Sequence, residues 1–159
     1  MKLIFCLGLF LLTGCVSQIF KEPNPTFSNE VSLQAPDSPF YKLEKSIFPS
    51  WKNKSTGNVI SILSDCSNQN LNLKQALQII SGSIDNAQIK EEKKMTVQNK
   101  SALFQKIEGE IDGSAILIHS LSFKNNNCYY VTSLSGSPEK LAVDIKSWDL
   151  FNKNIQFKK

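Results

Sequence analysis

Two turn signals divide the second half of the chain into three segments in which polar and apolar residues alternate, and this pattern constrains the fold most strongly. Asp112-Gly113 is typical of the tight turn between two antiparallel strands. It joins residues 103–111 to residues 115–124, and Asn125-Asn126-Asn127 makes a second turn into residues 128–131. The pattern therefore predicts consecutive antiparallel strands joined by hairpins.

Two helices are predicted on either side of these strands. Asn72 and Gln75 fit a capping box, and apolar residues recur at helical spacing until Gly82, so the first helix covers residues 73–81. Near the C-terminus, the sequence Ser137-Pro138-Glu139 suits an N-cap, a proline at the first helical position and an acid in the first turn. The buried stripe of this second helix consists of Leu141, Ile145, Trp148 and Ile155.

The remaining strands complete the fold prediction. Residues 40–51 lead through the turn Ser55-Thr56-Gly57-Asn58 into the β-branched run of residues 59–63. Residues 89–97 are polar and carry lysines that discourage edge pairing, so they are predicted at a sheet edge. The order β-β-α-β-β-β-β-α predicts one α+β domain over residues 39–159, with two helices packed on one face of an antiparallel sheet.

Three features of this domain resemble the PsbP-like fold family. They are the motif Phe48-Pro49-Ser50-Trp51, a first helix after two strands, and a terminal helix rich in aromatic residues. The similarity covers about residues 40–159, although Ser50 replaces the glycine that usually precedes the tryptophan. The resemblance implies a PsbP-like fold and a binding or assembly role, because the family is largely non-enzymatic. It implies no particular site residue.

The N-terminal leader predicts export from the cytoplasm. One positive charge at Lys2 precedes an apolar run over residues 3–12, which is typical of a secretory signal and too short to span a bilayer. The sequence Leu12-Thr13-Gly14-Cys15 then resembles the lipobox of bacterial lipoproteins. That resemblance implies removal of residues 1–14 and acylation of Cys15, so that two or three chains such as palmitate hold the protein stably on a membrane.

The residues after Cys15 refine the predicted location. Val16 stands where many proteobacterial lipoproteins of the inner membrane carry an aspartate, which favours the outer membrane of the cell envelope. Residues 16–38 contain three prolines and several serines and asparagines without a sustained period. We therefore predict that residues 15–38 comprise the lipidated cysteine and a flexible tether.

Cys66 and Cys128 are the only cysteines left in the folded part of the mature chain. In an oxidising compartment such as the periplasm, a disulfide is the expected fate of such a pair. The alternative is a metal site that also uses Asp65 and His119. No two of Cys66, Cys128 and His119 have the short spacing that structural zinc sites favour, so we predict a disulfide and no metal.

The basic residues argue against nucleic acid as a partner. All 18 of them are lysines, and the chain contains no arginine to recognise phosphates in a bidentate manner. Lys93-Lys94 and Lys158-Lys159 form pairs instead of a patch, and Glu91-Glu92 neutralise the first pair. We interpret these charges as solvated surface.

The sequence contains little that indicates catalysis. His119 is the only histidine, and it alternates with Ala115, Leu117, Leu121 and Phe123, which favours a half-buried strand residue with a local hydrogen bond. No G-x-S-x-G elbow and no glycine-rich phosphate loop occur, so we predict no catalytic residue and no cofactor. The function predicted is a non-catalytic interaction or assembly module that binds an envelope protein. The alternative is an envelope hydrolase or a small-ligand-binding protein with a pocket near His119.

Four aromatic residues are candidates for interface anchors, because exposed tyrosine and tryptophan often dominate binding energies. Trp148 lies on the apolar helix stripe and is expected in the core. Tyr129 and Tyr130 point to opposite faces of their strand, so one of them is expected at the surface. For Trp51, burial and exposure are equally compatible with the sequence.

Overall fold

Seven antiparallel strands form the main sheet of the protein. The computed structural model describes residues 27–67 and 70–158. The predicted hairpins around Asp112-Gly113 and Asn126-Asn127 are confirmed, and so is the predicted edge strand. From one edge of the sheet to the other, the strands are β2 (Phe40–Lys42), β3 (Ser50–Asn53), β4 (Val59–Asp65), β8 (Cys128–Gly136), β7 (Ser114–Asn125), β6 (Lys100–Ile111) and β5 (Asp85–Val97).

Both helical segments begin where the sequence signals predict, but the second ends at Lys153, before Ile155 of the predicted stripe. Helix α1 (Leu73–Ser81) begins with the predicted capping box, in which the Asn72 side chain accepts from the Gln75 backbone N–H at 2.9 Å. The Gln75 side chain in turn accepts from the Asn72 backbone N–H at 2.8 Å. The C-terminal helical run is divided into α2 (Pro138–Leu141), one 3-10 turn (Ala142–Asp144) and α3 (Ile145–Lys153).

The two helical segments cover opposite faces of the sheet. Leu77 of α1 packs against Tyr129 and Val131, whereas Trp148 of α3 packs on the side that carries Tyr130. The α+β class, the antiparallel sheet and the two helical segments are confirmed, but the prediction that both helices share one face is corrected. The physical reason is that β8 is buried on both of its faces, so each face needs its own helical cover.

Burial on both faces also decides the positions of the aromatic residues. Tyr129 and Tyr130 point to opposite faces of β8, yet they are 5% and 0% exposed, which corrects the expectation that one is at the surface. Trp148 is buried as expected, and Trp51 is also buried, with its ring centroid 5.4 Å from that of Phe151. All four predicted anchor candidates are therefore core residues in this structure.

Residues 27–38 are the described part of the predicted tether, and they contact the domain. Strand β1 (Val31–Ser32) pairs with β9 (Gln156–Phe157), and Val31 is buried. The Tyr130 hydroxyl donates a hydrogen bond to Ser28 Oγ at 3.0 Å. Burial raises the pKa of the Tyr130 hydroxyl, so it remains a donor. This part of the predicted tether is therefore packed on the domain in the structure.

Cys66 and Cys128 are joined by a disulfide, as predicted. Their Cα atoms are 4.1 Å apart, because the two residues continue the β4–β8 ladder one position beyond the pair Asp65 and Tyr129. The disulfide links positions 62 residues apart in sequence. A loop of that length corresponds to a stabilisation of about 4 kcal/mol in the chain-entropy model.

A buried carboxylate connects the β3–β4 hairpin to the C-terminal helical segment. Asp144 is 3% exposed, and it accepts hydrogen bonds from Asn53 Nδ2 at 2.8 Å and Asn58 Nδ2 at 2.7 Å. A third bond comes from Thr56 Oγ1 at 2.6 Å. Asn58 Nδ2 also donates to the Lys140 carbonyl at 2.9 Å. These bonds compensate the desolvation of the carboxylate and hold α3 over the sheet.

We predict that Asp144→Ala lowers the free energy of unfolding by about 3 kcal/mol, because it leaves buried amide and hydroxyl donors without their acceptor. Urea-induced unfolding followed by circular dichroism measures the change. Asp149→Ala, at an exposed position of α3, is the control and should change stability by less than about 0.5 kcal/mol. Equal losses in the two variants would contradict a special role for Asp144.

Candidate functional site

His119 lies on the face of β7 that α3 covers, where two aromatic rings surround it. Its ring centroid is 5.4 Å from that of Phe104 and 6.1 Å from that of Trp148, and both contacts have T-shaped geometry. Lys93 Nζ lies 4.8 Å from the Phe104 ring centroid. The histidine is half-buried, as the strand alternation predicts, and its contacts are with aromatic side chains.

The surroundings of His119 favour its neutral form. Burial lowers the pKa of His119, and the nearby Lys106 ammonium lowers it further. The carboxylates of Glu91 and Asp149 raise the pKa of His119 and offset part of this decrease, whereas the Lys93 ammonium lowers it again. Because burial is the largest of these effects, the ring stays neutral at a pH where an exposed histidine would begin to protonate.

A histidine that acts as a general base normally has a hydrogen-bonded partner, and the described residues provide none for His119. Within residues 27–67 and 70–158, no group makes a hydrogen bond to its ring, so the local hydrogen bond expected from the sequence does not occur there. A nucleophile activated by histidine normally lies within hydrogen-bond reach of it. The contacts that the described residues make with His119 are packing contacts with the rings of Phe104 and Trp148.

The positions of Cys66, Cys128 and His119 also argue against the metal site that the sequence left as an alternative. Cys66 and Cys128 are consumed by the disulfide, and His119 lies in the middle of β7, whereas Cys128 pairs with Asn125 at the end of that strand. Among the described residues, no group of three or more His, Cys, Asp or Glu side chains could hold a metal ion.

A groove opens beside this aromatic cluster, between the β5–β6 turn and α3. Its volume is about 440 Å³. The apolar part of its lining comes from Met95, Val97, Leu121 and Trp148. Met95 is 40% exposed, which is high for a large apolar side chain, and a methionine adapts its shape to different contacts. An apolar group can therefore enter the groove without a rearrangement that would expose the core.

Polar groups line the rest of the groove. Its rim includes the exposed residues Gln98, Asp149 and Lys153, while the buried Asn152 lies beside the floor. The Gln98 side chain donates a hydrogen bond to the Lys153 carbonyl, which connects the β5–β6 turn to the end of α3. The indole Nε1–H of Trp148 is buried and has no acceptor among the described residues. A groove with an apolar floor and a polar rim is typical of a binding site.

This groove is not among the sites predicted from the sequence. Its residues come from three separate segments, residues 95–99, Leu121 and residues 148–153. The only local signal is the Gln98-Asn99 turn, in which both residues have positive φ angles of 48° and 63°. Asparagine is enriched in this conformation, but the signal marks a hairpin and no binding function.

Comparison with known proteins identifies the fold. No protein family and no curated protein matches the chain, but solved structures do. Cyanobacterial PsbP (CyanoP) from Synechocystis has a TM-score of 0.57 at 6% identity, covering 83% of this chain and 90% of that protein. A protein of unknown function and putative regulator from Pseudomonas aeruginosa, PA94, has a TM-score of 0.55 at 12% identity, covering 80% and 88%. The fold is therefore PsbP-like, as the resemblance implies.

A third similar structure is larger than this protein. It comes from Bacteroides thetaiotaomicron and has a TM-score of 0.60 at 13% identity. The match covers 85% of this chain and 47% of that protein, so the chain spans about half of its length. At these identities the similarity defines the fold and transfers no residue role.

The membrane-related predictions concern a part of the chain that the structure does not describe. The leader over residues 1–14, Cys15 and the first part of the predicted tether all lie outside the described residues. In the part that is described, no helix is both long and apolar enough to cross a membrane.

We predict that His119→Ala lowers the free energy of unfolding by about 1–2 kcal/mol at about pH 7.5, where the ring is neutral, through lost packing on Phe104 and Trp148. The folded-state pKa of His119 is lowered, so its stabilising contribution is present above about pH 6.5 and is lost as the pH falls through the folded-state value. The stability difference between wild type and variant should therefore narrow on acidification. Thermal unfolding at several pH values measures it.

A parallel complementation assay tests the enzymatic alternative. An unchanged thermal midpoint together with complete loss of complementation would favour a catalytic histidine. A lowered midpoint with residual function agrees with a packing residue.

Proposed function

We propose that this protein is a lipid-anchored module of the bacterial cell envelope that binds another envelope protein without catalysing a reaction. Acyl chains on Cys15 would hold it on a membrane, with the outer membrane favoured by Val16. The groove between the β5–β6 turn and α3 would receive an apolar segment of the partner.

The groove is the observation that supports this proposal most directly. Trp148 and Leu121 form a preformed apolar floor, and Asn152 is fixed beside them by hydrogen bonds to the Trp148 carbonyl at 3.0 Å and from Thr132 Oγ1 at 2.6 Å. A rigid floor lowers the entropic cost of binding, while the exposed Met95 supplies an adaptable edge. Both signs of charge at the rim, on Asp149 and Lys153, suit a mixed polar surface on a protein partner.

The alternative of an envelope hydrolase has less support. It requires His119 within hydrogen-bond reach of a serine or an aspartate, and among the described residues His119 has aromatic ring contacts but no such hydrogen bond. A small-ligand-binding protein that uses the same groove is the second candidate, because Trp148 joins the groove to the aromatic cluster around His119.

We predict that Cys15→Ser abolishes lipid attachment and yields an uncleaved or soluble protein. The lipobox residues require the cysteine thiol as the acceptor of the diacylglyceryl group. Metabolic labelling with a fatty acid, followed by membrane fractionation, measures the effect. Cys6→Ser, within the leader, is the matched control and should be labelled like the wild type. Equal label in Cys15→Ser and wild type would disprove the lipoprotein assignment.

We predict that a photo-crosslinking amino acid at Met95 captures an envelope protein in intact cells, whereas the same amino acid at Val143 does not. Val143 is 67% exposed on the helical segment, but it does not line the groove. Asp149→Trp narrows the groove from its rim and should abolish capture at position 95. Lys146→Trp, at another exposed position of α3, should leave it intact.

The same variants can also disprove the binding proposal. Capture from position 143 that equals capture from position 95, or capture that survives Asp149→Trp, would contradict binding in the groove. Thermal unfolding of both tryptophan variants confirms that they are folded, so that a lost crosslink reports the groove itself.

A further inference from the structure

The charged residues of the domain are separated along the strand direction. At one end of the sheet, the β5–β6 and β7–β8 turns lie side by side, because the start of β6 pairs with the end of β7. The backbone N–H of Lys158 donates to the Glu30 carbonyl there, and the Lys153 carbonyl accepts from the turn residue Gln98. We call this the lysine end, and its basic residues are Lys100, Lys124, Lys153 and Lys158.

The opposite end of the same strands is acidic. Asp85 at the start of β5 lies directly opposite Glu110 on β6, and Asp112 occupies the adjoining β6–β7 turn. The described acids near the lysine end are Glu30, Asp65 and Asp149, of which Asp149 lines the groove together with Gln98 and Lys153, so the four lysines outnumber them by one. Lys54 and Lys140 also lie at the acidic end, where Asn58 of the β3–β4 turn donates to the Lys140 carbonyl, so the charge asymmetry along the strands is modest. Such an asymmetry favours one orientation of a domain in the field of a charged surface.

The chain enters the domain at the lysine end. The Ser28 backbone N–H donates to Ser64 Oγ at 2.8 Å, near the end of β4. Asn126 in the β7–β8 turn donates to the Glu30 carboxylate at 3.3 Å. Phe27 follows Cys15 by twelve positions, a length of chain that spans about 20 Å as a coil or about 40 Å when fully extended. An anchor on Cys15 would thus keep the lysine end within reach of the bilayer.

We propose that the lysine end docks on the anionic phospholipid surface of the membrane in which Cys15 is anchored. This inference rests on the proposed lipid anchor and adds an orientation of the domain. Lys100 Nζ lies 5.0 Å from the Phe157 ring centroid and Lys124 Nζ lies 4.8 Å from that of Tyr129, so aromatic rings support both lysines. Each lysine near an anionic leaflet strengthens binding, and the effect adds to that of acyl chains.

Docking in this orientation has a consequence for the groove. Gln98 and Lys153 belong to the groove rim as well as to the region of the lysine end. The groove would therefore open beside the membrane surface, and the acidic end would point away from it. A partner that enters the groove would approach along the bilayer.

Hydrogen exchange of the full-length lipidated protein in nanodiscs tests the proposal. One set of discs contains phosphatidylcholine alone, and the other contains equal parts of phosphatidylcholine and phosphatidylglycerol. We expect the amides of residues 98–100 and 125–127 to exchange about fivefold more slowly in the anionic discs. The amides of residues 111–114, at the acidic end, should exchange equally in both. About 1 M salt, where the screening length is about 3 Å, should remove the difference.

Two matched double variants assign the effect to the lysine end. Lys153→Gln/Lys158→Gln should reduce the protection, since both side chains are exposed and their loss leaves the fold intact. Lys54→Gln/Lys140→Gln removes two exposed lysines elsewhere and should retain the wild-type protection. Equal loss of protection in both variants would overturn the assignment to the lysine end.

The outcomes also separate this inference from the proposed function. Mass spectrometry that shows no lipid on Cys15 would overturn both the anchor and the docking. A lipidated protein whose turn amides exchange equally in the two kinds of disc would overturn the docking alone.

Discussion

The buried carboxylate of Asp144 is the interaction on which the rest of the structure depends. Its hydrogen bonds from Asn53, Thr56 and Asn58 hold the C-terminal helical segment against the β3–β4 hairpin. This position places Trp148 over the sheet, where its ring forms both the floor of the groove and one wall around His119. Displacement of α3 would remove the candidate site as well as half of the core. The stability of the fold and binding in the groove therefore both depend on Asp144.

The covering of both sheet faces explains the chemical character of the site. Helix α1 and the α3 segment each bury one side of β8, so Tyr129 and Tyr130 become core residues. Burial under α3 also favours the neutral form of His119 and surrounds it with aromatic rings instead of hydrogen-bonding groups. The groove lies where α3 ends beside the β5–β6 turn, and its apolar floor suits a binding role.

The parts of the structure that were predictable depend on neighbours in sequence. The capping box of Asn72 and Gln75, the hairpin at Asp112-Gly113 and the disulfide pair all have local or compositional signals. Gly136 shows the limit of such signals. Its place between two serines suggests a turn glycine, but a Cβ there would lie 1.8 Å from Asn58 Oδ1, so close packing excludes a side chain. No local pattern contains that contact.

The sequence by itself determined helix α1, the hairpins that join β6, β7 and β8, the α+β class, the disulfide and the expectation of an envelope lipoprotein, because each depends on short motifs or on period-two and helical spacing. Four strands precede α1 where the sequence predicted two, and the short strand β9 was not predicted. Tertiary structure alone decided which face each helix covers, that residues 27–38 pack on the domain, and that Asp144 is buried. It also assembled the groove from Met95, Leu121 and Trp148. The physical reason is that burial and side-chain contact depend on residues far apart in the chain, which alternation and propensity do not encode.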